Sequence, residues 1–456
     1  MSSTDHTIRH ALAVLSPLLF LLLPWVAPTQ VPGQEVRARD LEIPFEGRPG
    51  PLNAITDVEG VGVGHTTLIR GHGPLVVGEG PVRTGVTAVV PRRDRPKTPV
   101  FAGWFTLNGN GEMTGTTWIE DSGVLEGPVM ITNTLSVGVV HHAVIGWGVR
   151  RARETGEALG PWVAGLPVVA ETWDGSLNDI YGQHVREQHA VQALEAAAPG
   201  PVSEGNVGGG TGMICHRFKG GIGTASRIVE MDGSRHVVGV LVQCNYGDRE
   251  SLRIAGVPVG REIPGLLPTR TQAVSEPGRN RSASPSRTSP SEPGPDRPGS
   301  PSRSWSTGPG PDRLASRPRT SPSELGGGRE TPGRDGSIIV VVATDAPLLP
   351  GQLERMARRV SLGLGRMGSV SSNSSGDIFV AFSTANADGA RGLEGAHLET
   401  TPNGALTPLF RGTVQATEEA IVNALVAAET MTGADGLTVH ALPHDRLRRI
   451  LQRYNR

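Results

Sequence analysis

The feature that most constrains the fold of this chain is an abrupt change of composition just before residue 337. The 61 residues of segment 275–335 include 13 Ser, 12 Pro and 9 Gly, and the repeats RTSPSE and PGPDR each occur twice in them. Such a segment buries too little apolar surface to offset its chain entropy. We therefore predict a disordered Arg/Ser/Pro-rich insert over 275–335. Its ten Arg are interspersed with seven acidic residues, which favours a solvated linker over a nucleic-acid-binding tail.

Order is predicted to resume at Ser337, where SIIVVVATDAPL has the apolar, β-branched composition of a buried strand. The spacing of apolar residues predicts an amphipathic helix over 350–364. A second strand over 377–383 and a helix over 417–431 follow, and the remaining residues read as a polar C-terminal tail.

The part before the insert, residues 40–274, reads as one α/β body in which Gly and Asn turns separate short Val/Ile-rich runs. Two helices are predicted, over 141–155 and 184–198. The predicted strands cover 58–63, 87–90, 129–132, 166–170 and 237–244.

The N-terminus indicates an exported protein. Arg9 and His10 precede an apolar run over 11–26, which is typical of a secretory signal. We predict a signal peptide or N-terminal anchor over 1–33, and a periplasmic or secreted protein. No other segment approaches the ~20 apolar residues of a membrane span, so we expect no membrane association of the mature body.

Charge and cysteine content bound the partners further. The formal net charge of −1 provides no electrostatic reason to expect a nucleic acid. Cys215 and Cys244 are the two cysteines of the chain and both lie in apolar stretches. We expect buried free thiols there rather than a disulfide.

The junction between Gly336 and Ser337 has chemistry suited to self-cleavage. Glycine presents an unhindered carbonyl, and the serine oxygen beside it is close enough for an N-to-O acyl shift. Cleavage would leave Ser337 with both a hydroxyl and a free α-amine, which titrates near ~7.7–8.0 and can act as base for that hydroxyl. From spacing alone, the same Gly-Ser pair also fits the plain end of a linker.

Other sites are weakly supported by motif. The run Gly208–Gly212 lacks the Lys-Ser/Thr ending of a phosphate loop and reads as a Gly-rich turn. His184 and His189 are five residues apart rather than the four of a zinc-binding helix, so we predict no metal. Glu171 and Asn245 each end an apolar run, where a carboxylate can bind a substrate ammonium and an amide can donate to an oxyanion; an exposed loop acid and a turn residue are the plain alternatives.

Taken together, eight stretches resemble one family, the self-processing L-aminopeptidase D-Ala-esterase/amidases with the related β-peptidyl aminopeptidases. They follow the order of the family and span most of 45–430 outside the insert. They are NAITDVEGVGVGHTT (53–67), TLNGNGEMTGTTWIEDSG (106–123), ITNTLSVGVVHHAVIGWG (131–148), PVVAETWDGSLNDI (167–180), GNVGGGTGM (205–213), VLVQCNYG (240–247), GSIIVVVATDAPLLPGQLERMARR (336–359) and SSGDIFVAFSTAN (374–386).

The resemblance implies an α/β fold, an αββα four-layer sandwich related in architecture but not in connectivity to N-terminal-nucleophile hydrolases. It implies cleavage between Gly336 and Ser337, so that 40–274 belongs to a larger subunit and 337–456 forms a smaller one of the same catalytic domain. Ser337 would be the nucleophile, and Ser375 and Asp377 would assist it.

For substrate binding, the resemblance implies that Asn245 donates to the oxyanion and that Glu171 holds the free amine of the substrate. Trp173 stands where some members carry a Tyr implicated in the oxyanion site, and a Trp resembles the β-peptide-cleaving branch. No cofactor is implied, and members assemble several α/β pairs into a homo-oligomer.

The predicted function is therefore a self-cleaving serine aminopeptidase or amidase. It would remove N-terminal D-Ala, L-amino-acyl or β-amino-acyl residues from peptides, amides and esters through an acyl-enzyme on Ser337. One alternative is acyl transfer of the ornithine acetyltransferase kind on the same fold, although those enzymes use Thr as nucleophile. The other is a secreted, non-catalytic binding protein.

Overall fold

The computed structural model describes residues 36–96, 98–156, 165–231, 233–270 and 336–456. The predicted signal or anchor segment and the predicted insert lie outside the described residues. In the part that is described, no helix combines the length and apolarity needed to cross a bilayer.

The described elements alternate strands and helices along the chain. The strands are β1 (Gly62–Arg70), β2 (Val82–Val90), β3 (Val100–Gly109), β4 (Val124–Leu125), β5 (Val129–Asn133), β6 (Val168–Thr172), β7 (Ile214–Cys215), β8 (Phe218–Lys219), β9 (Gly221–Met231), β10 (Ser234–Asn245), β11 (Thr269–Arg270), β12 (Ser337–Thr344), β13 (Gly376–Ser383), β14 (Met431–Thr432) and β15 (Leu437–Val439). The helices are α1 (Thr116–Ser122), α2 (Val137–Thr155), α3 (Glu187–Glu195), α4 (Val259–Glu262), α5 (Pro350–Arg366), α6 (Ala387–Ala390), α7 (Thr407–Val426) and α8 (His444–Arg453).

Two sheets make the centre of the fold. The larger has the strand order β4-β3-β13-β12-β10-β9 and the smaller the order β1-β2-β5-β6. In the larger sheet β12 is parallel to β13 and antiparallel to β10. Because β12 lies inside the sheet with partners on both sides, its first residue is held by two neighbouring strands.

The layers follow from which residues share a core. One apolar cluster joins the facing sides of the two sheets, for example Ile131 of β5 with Ile339 of β12. A second cluster joins the outer side of the larger sheet to α5 and α7, and a third joins the smaller sheet to α2 and α3. The order helix, sheet, sheet, helix confirms the predicted αββα sandwich.

Strand β12 lies between two of these apolar clusters. All eight of its residues are buried, with Ile338 and Val340 packed towards the helices and Ile339 and Val341 towards the other sheet. A strand that is covered on both faces reads as a continuous apolar run rather than an alternating one. The same strand separates two cores.

Most predicted elements are present with shifted ends, and three predictions are wrong. The predicted strand 58–63 is a turn up to residue 61, and β1 starts at Gly62 and continues to Arg70. The helix predicted over 417–431 starts ten residues earlier, at Thr407, where Pro408 fits the first turn. The predicted polar tail contains helix α8, whose Leu447, Ile450 and Leu451 are buried.

The expectation of free thiols is also wrong. Cys215 and Cys244 form a disulfide, with a Cα–Cα separation of 5.6 Å, which lies within the range that disulfides span. The separation of 29 residues along the chain hid this proximity, which arises because β7 docks beside the end of β10.

Candidate active site

Ser337 opens β12 at the end of the larger sheet. It pairs with Asn245 of β10, and the next residue, Ile338, pairs with Asp377 of β13. Ser337 is 7% exposed, and its Oγ accepts a hydrogen bond of 3.1 Å from the backbone N–H of Gly376. The predicted nucleophile is therefore held between the strand that ends with Asn245 and the strand that begins beside Ser375 and Asp377.

Gly336 lies tightly against the end of β10. A Cβ atom on Gly336 would be 1.8 Å from the backbone oxygen of Asn245, which is far inside contact distance. Only a residue without a side chain fits this approach. The packing holds the peptide bond between Gly336 and Ser337 directly beside Asn245.

The side-chain amide of Asn245 is held by contacts at both of its polar atoms. Its Oδ1 accepts from the backbone N–H of Ile214 at 2.7 Å, and its Nδ2 donates to the carbonyl oxygen of Trp173 at 2.9 Å. These two contacts determine which end of the amide is nitrogen. An amide nitrogen carries two hydrogens, so the second one is available to an oxyanion next to Gly336.

Ser375 and Asp377 form a buried pair at the start of β13. The Ser375 hydroxyl donates to Asp377 Oδ1 at 2.5 Å, and Asp377 is completely buried. Burial raises the pKa of the Asp377 carboxyl, and hydrogen bonds from Ser375 and Ser371 act in the opposite direction. The Ser337 hydroxyl contacts the backbone of Gly376, between the two residues of the pair, rather than either side chain.

Glu171 approaches from the smaller sheet, near the end of β6. Its Oε1 accepts from the backbone N–H of Glu112 at 3.0 Å, and its Oε2 accepts from the Thr134 hydroxyl. Burial raises the pKa of the Glu171 carboxyl, and these two hydrogen bonds lower it. A carboxylate that is desolvated in this way gains strongly from an incoming cation.

Gly111 connects the Glu171 side to the Ser337 side. A Cβ atom on Gly111 would be 3.3 Å from Glu171 Oε1 and 3.2 Å from the Cα of Gly376. Gly376 in turn donates to Ser337. The backbone segments at Gly111 and Gly376 thus lie between the carboxylate predicted to hold the substrate amine and the predicted nucleophile.

Trp173 contributes to the site mainly through its backbone carbonyl, which fixes Asn245. Its indole is 41% exposed and packs edge-on against Tyr181, with ring centroids 6.4 Å apart. The two exposed rings form an apolar rim.

Sequence reasoning missed four supporting groups: the Thr134 hydroxyl and the backbone N–H groups of Glu112, Ile214 and Gly376. Only Thr134 carries a recognisable signal, since it directly follows strand β5, whose last residue, Asn133, caps a short helical turn. Backbone donors have no side-chain signature.

Within the described ranges, no group of three or more His, Cys, Asp or Glu side chains is placed to hold a metal ion. The polar groups that do converge are a serine hydroxyl, an oriented amide and two buried carboxylates. This set can perform nucleophilic acyl chemistry on a substrate that carries a cation beside the reacting bond.

Comparison with known proteins gives a consistent picture. Residues 53–439 match the model of peptidase family S58. The chain is 50% identical over 422 residues to the β-peptidyl aminopeptidase BapA of Sphingosinicella microcystinivorans, covering 92% of this chain and 93% of that protein. It is 44% identical to BapA of Sphingosinicella xenopeptidilytica, covering 99% and 98% of the two chains.

Among solved structures, the fold is similar to that of the L-aminopeptidase D-Ala-esterase/amidase of Ochrobactrum anthropi, described as a prototype of the serine aminopeptidases and a variant of the Ntn hydrolase fold. The TM-score is 0.74 and the identity 43%, covering 92% of this chain and 99% of that chain. A β-aminopeptidase of Burkholderia sp. is similar with a TM-score of 0.70, an identity of 41% and the same coverage.

Proposed function

The chain belongs to peptidase family S58 and is a hydrolase of the serine aminopeptidase type, and from this premise we propose that it acts through Ser337 after cutting its own backbone in front of that residue. The observation that carries the proposal is the convergence of Ser337, Asn245 and Gly336 at one strand end. Family S58 membership makes the residues of this strand end the natural place for the chemistry.

Self-cleavage starts with attack of Ser337 Oγ on the carbonyl carbon of Gly336. The C–N bond between the two residues breaks, the nitrogen of Ser337 takes up a proton, and an ester links Gly336 to the Ser337 oxygen. Water then hydrolyses this ester, which leaves a carboxylate on Gly336 and a free hydroxyl and α-amine on Ser337. The tight packing of Gly336 against Asn245 supports the assignment, because it presents the carbonyl to an amide donor.

The processed enzyme repeats the same chemistry on its substrate. Ser337 Oγ attacks the first carbonyl of the substrate, the leaving amine or alcohol accepts a proton, and water hydrolyses the acyl ester on Ser337. Asn245 Nδ2 stabilises the oxyanion, and removing one such donor typically costs ~3–4 kcal/mol of transition-state energy. The Ser375–Asp377 pair and the new α-amine of Ser337 accept and return the proton.

We assign Glu171 to the free amine of the substrate. Its carboxylate is buried, receives neutral hydrogen-bond donors and lies one backbone away from Gly376. An ammonium group there compensates the desolvated charge. Cleavage is thereby limited to the bond nearest the substrate's own amine, which explains aminopeptidase rather than endopeptidase action.

The substrates we propose are short peptides, amides and esters with an N-terminal β-amino-acyl group, with L-amino-acyl and D-alanyl groups as further candidates. The 50% identical relative is named a β-peptidyl aminopeptidase, and the structural relative from Ochrobactrum is named for L-aminopeptidase and D-Ala-esterase/amidase activity. The apolar rim of Trp173 and Tyr181 suits an apolar group beside the amine.

Denaturing electrophoresis and N-terminal sequencing test self-cleavage. The purified chain is expected to yield a 120-residue fragment that begins Ser-Ile-Ile-Val. Ser337→Ala is expected to remain a single band and to lose at least 1,000-fold of its activity on amino-acyl p-nitroanilides, by the logic of losing a catalytic nucleophile. Ser234→Ala, at the exposed opposite end of β10, is the matched control and is expected to behave as wild type.

An uncleaved but active Ser337→Ala chain would overturn the assignment of the nucleophile. To separate hydrolysis from acyl transfer, release of p-nitroaniline is compared with turnover of acetyl-ornithine. Activity on acetyl-ornithine alone would contradict the proposed aminopeptidase substrates.

We propose that the protein is exported to the periplasm or secreted. Support comes from the basic and apolar start of the sequence and from the Cys215–Cys244 disulfide, because disulfides persist in oxidising compartments. Cell fractionation with N-terminal sequencing of the mature larger chain tests this. Recovery of the full-length N-terminus in the cytoplasm would contradict it.

We also propose that several copies of the processed chain associate. The connection between β1 and β2 exposes Leu75, Val76 and Val77, and adjacent exposed apolar residues mark interaction surfaces. Light scattering after size-exclusion chromatography measures the mass. A monomer at all concentrations would contradict the proposal.

A further inference from the structure

A short segment braces the strand end that carries Asn245. Three links join residues 214–216 to residues 244–246. Ile214 N–H donates to Asn245 Oδ1 at 2.7 Å, Cys215 is disulfide-bonded to Cys244, and His216 N–H donates to the carbonyl oxygen of Tyr246 at 2.7 Å. The position of Tyr246 is therefore as well determined as that of Asn245.

The Tyr246 ring is held on its edge by His216, with ring centroids 4.9 Å apart. His216 Nδ1 lies 3.0 Å from the carbonyl oxygen of Asp248, and since a carbonyl only accepts, this nitrogen carries the hydrogen. Burial lowers the pKa of His216 to about 4. His216 is therefore a neutral, fixed wall for the Tyr246 ring.

Three buried polar atoms around Tyr246 lack a hydrogen-bond partner in the described part of the chain: the hydroxyl of Tyr246, Oδ2 of Asp377 and Nε2 of His216. The hydroxyl can donate, and the carboxylate oxygen and the unprotonated ring nitrogen can accept. Leaving such atoms unpaired in a protein interior is costly, and native structures rarely do so. Of the two acceptors, a carboxylate oxygen forms the stronger hydrogen bond, so Asp377 Oδ2 is the better partner for the Tyr246 hydroxyl.

Strand register places these two side chains on the same face of the larger sheet. Cys244 pairs with Ile338, and Ile338 pairs with Asp377, and paired residues point to one face. Tyr246 follows two residues after Cys244 and returns to that face. Burial raises the pKa of the Tyr246 phenol, and the charge of Asp377 adds to that rise.

We propose that Tyr246 is a positioning residue for the reaction: its hydroxyl donates to Asp377 Oδ2 through one buried water and so keeps Oδ1 directed at the Ser375 hydroxyl. The inference rests on the proposed function, because it assigns to Tyr246 a role through Asp377. Tyr246 itself does not touch the substrate.

Few other groups compete for this carboxylate. Asp377 faces the hydroxyls of Ser375 and Ser371 and the backbone N–H of Ile338. Next to Tyr246, His216 is neutral, and Arg249 directs its Nε to the carbonyl oxygen of His216. In the processed enzyme the α-amine of Ser337 joins this set. The Tyr246 hydroxyl therefore makes a measurable difference to the protonation of Asp377.

Tyr246→Phe, which deletes one hydroxyl, tests the proposal in the processed full-length protein. We expect kcat on an amino-acyl p-nitroanilide to fall roughly tenfold, or about 1.4 kcal/mol, with KM within about twofold of wild type. Loss of a donor to the carboxylate raises the pKa of Asp377, so the acidic limb of kcat/KM is expected to move up by about one pH unit. Tyr454→Phe, whose exposed hydroxyl donates to Glu262 at 2.7 Å, is the matched control and should match wild type.

The double variant with Asp377→Asn separates positioning from packing. If Tyr246 acts through Asp377, adding Tyr246→Phe to Asp377→Asn causes little further loss of kcat. A Tyr246→Phe enzyme with wild-type kcat and an unmoved acidic limb, whatever its melting temperature, would overturn the inference. If Asp377→Asn alone retains wild-type kcat, the proposed function of Asp377 fails instead, so the two failures are distinguishable.

A spectroscopic test does not depend on the Tyr246→Phe chain folding. The protein has three tyrosines, so uniform 3-fluorotyrosine labelling gives three ¹⁹F resonances, which Tyr181→Phe and Tyr454→Phe assign by elimination. The resonance of residue 246 is expected to titrate with the acidic limb of kcat/KM and to shift in Asp377→Asn. A resonance that does neither would overturn the inference.

Discussion

Three buried carboxylates differ in the charges around them. Glu419, Glu171 and Asp377 are all almost completely buried, but only Glu419 is paired with cations. Glu419 on α7 accepts from Arg39 at 2.7 Å and pairs with Arg227 of β9 at 2.7 Å. Burial acts to raise the pKa of Glu419, but the two Arg outweigh it and the pKa is lowered. Glu171 and Asp377 receive only neutral donors, and burial raises their pKa.

The difference separates a structural charge from a functional one. The cluster of Glu419, Arg39 and Arg227 joins α7 to the turn that contains Arg39 and to β9. Its charges neutralise one another inside the protein. The carboxylates near Ser337 have no such partner, and we propose that a substrate ammonium supplies it for Glu171 and the new α-amine of Ser337 for Asp377. Buried charges are rarely tolerated without a partner, so the missing partner indicates the ligand.

Of the variants considered, Glu419→Gln should cause the largest change in free energy, and it should lower stability without changing activity. Breaking one partner of a buried ion pair leaves Arg227 uncompensated, and we expect a loss of about 3–5 kcal/mol in the free energy of unfolding. Urea denaturation measures it. Glu354→Gln is the matched control, since Glu354 forms a surface pair with Arg358 that is worth only about 0.5 kcal/mol. The specific activity per folded molecule of Glu419→Gln should not change. A loss of kcat in this variant would contradict the assignment of Glu419 to a purely structural role.

Glu171→Gln should lower activity and leave stability unchanged. Losing the partner of the substrate ammonium is expected to lower kcat/KM about 100-fold, or about 2.7 kcal/mol, while self-cleavage continues because no ammonium is bound in that step. The free energy of unfolding should not fall, since a neutral amide replaces an unpaired charge.

The measurement compares p-nitroanilides with a free and with an acetylated amine. Glu120→Gln, whose carboxylate accepts from Trp104 Nε1, is the control. An equal loss on both substrates would remove Glu171 from amine binding.

Asp174 gives a smaller effect through pH. It is completely buried beside the site, and burial raises its pKa to about 7, against hydrogen bonds from Thr84, Asn178 and Asn133. The folded state therefore binds a proton between pH 7 and 4 that the unfolded state does not hold, so stability rises as pH falls through 7.

Between pH 7.5 and 5.5 we expect a gain of about 2 kcal/mol in the wild type relative to Asp174→Asn. Thermal denaturation monitored by circular dichroism at both pH values measures this difference. Equal responses of the two proteins would show that Asp174 is ionised in the folded state, as the Glu419 carboxylate is.

Local sequence patterns predicted the secondary structure correctly in segments whose apolar residues are close together in the chain. The strand beginning at Ser337 and the helix α5, with Leu353, Met356 and Val360 buried, were predicted almost to their ends. In such elements the hydrophobic period alone decides which face is buried.

Prediction failed where polar residues are buried. Helix α7 buries Thr413, Gln415 and Glu419 along with its apolar residues, which hid its true start. Strand β9, which was not predicted, is buried along most of its length and includes Arg227. Arg227 reads as an exposed residue until its partner Glu419 is placed beside it, and that partner is 192 residues away in the chain.

The change of composition before residue 337 and the family were readable from the sequence itself, because composition and contiguous motifs are local properties, and the αββα architecture followed from the resemblance to that family. The tertiary structure decided that Asn245, Ser337 and Asp377 lie on adjacent strands, that Cys215 meets Cys244, and that Tyr246 and Asp377 share a face. These are consequences of strand register and of backbone approach at Gly336 and Gly111, and register depends on contacts between segments far apart in the chain.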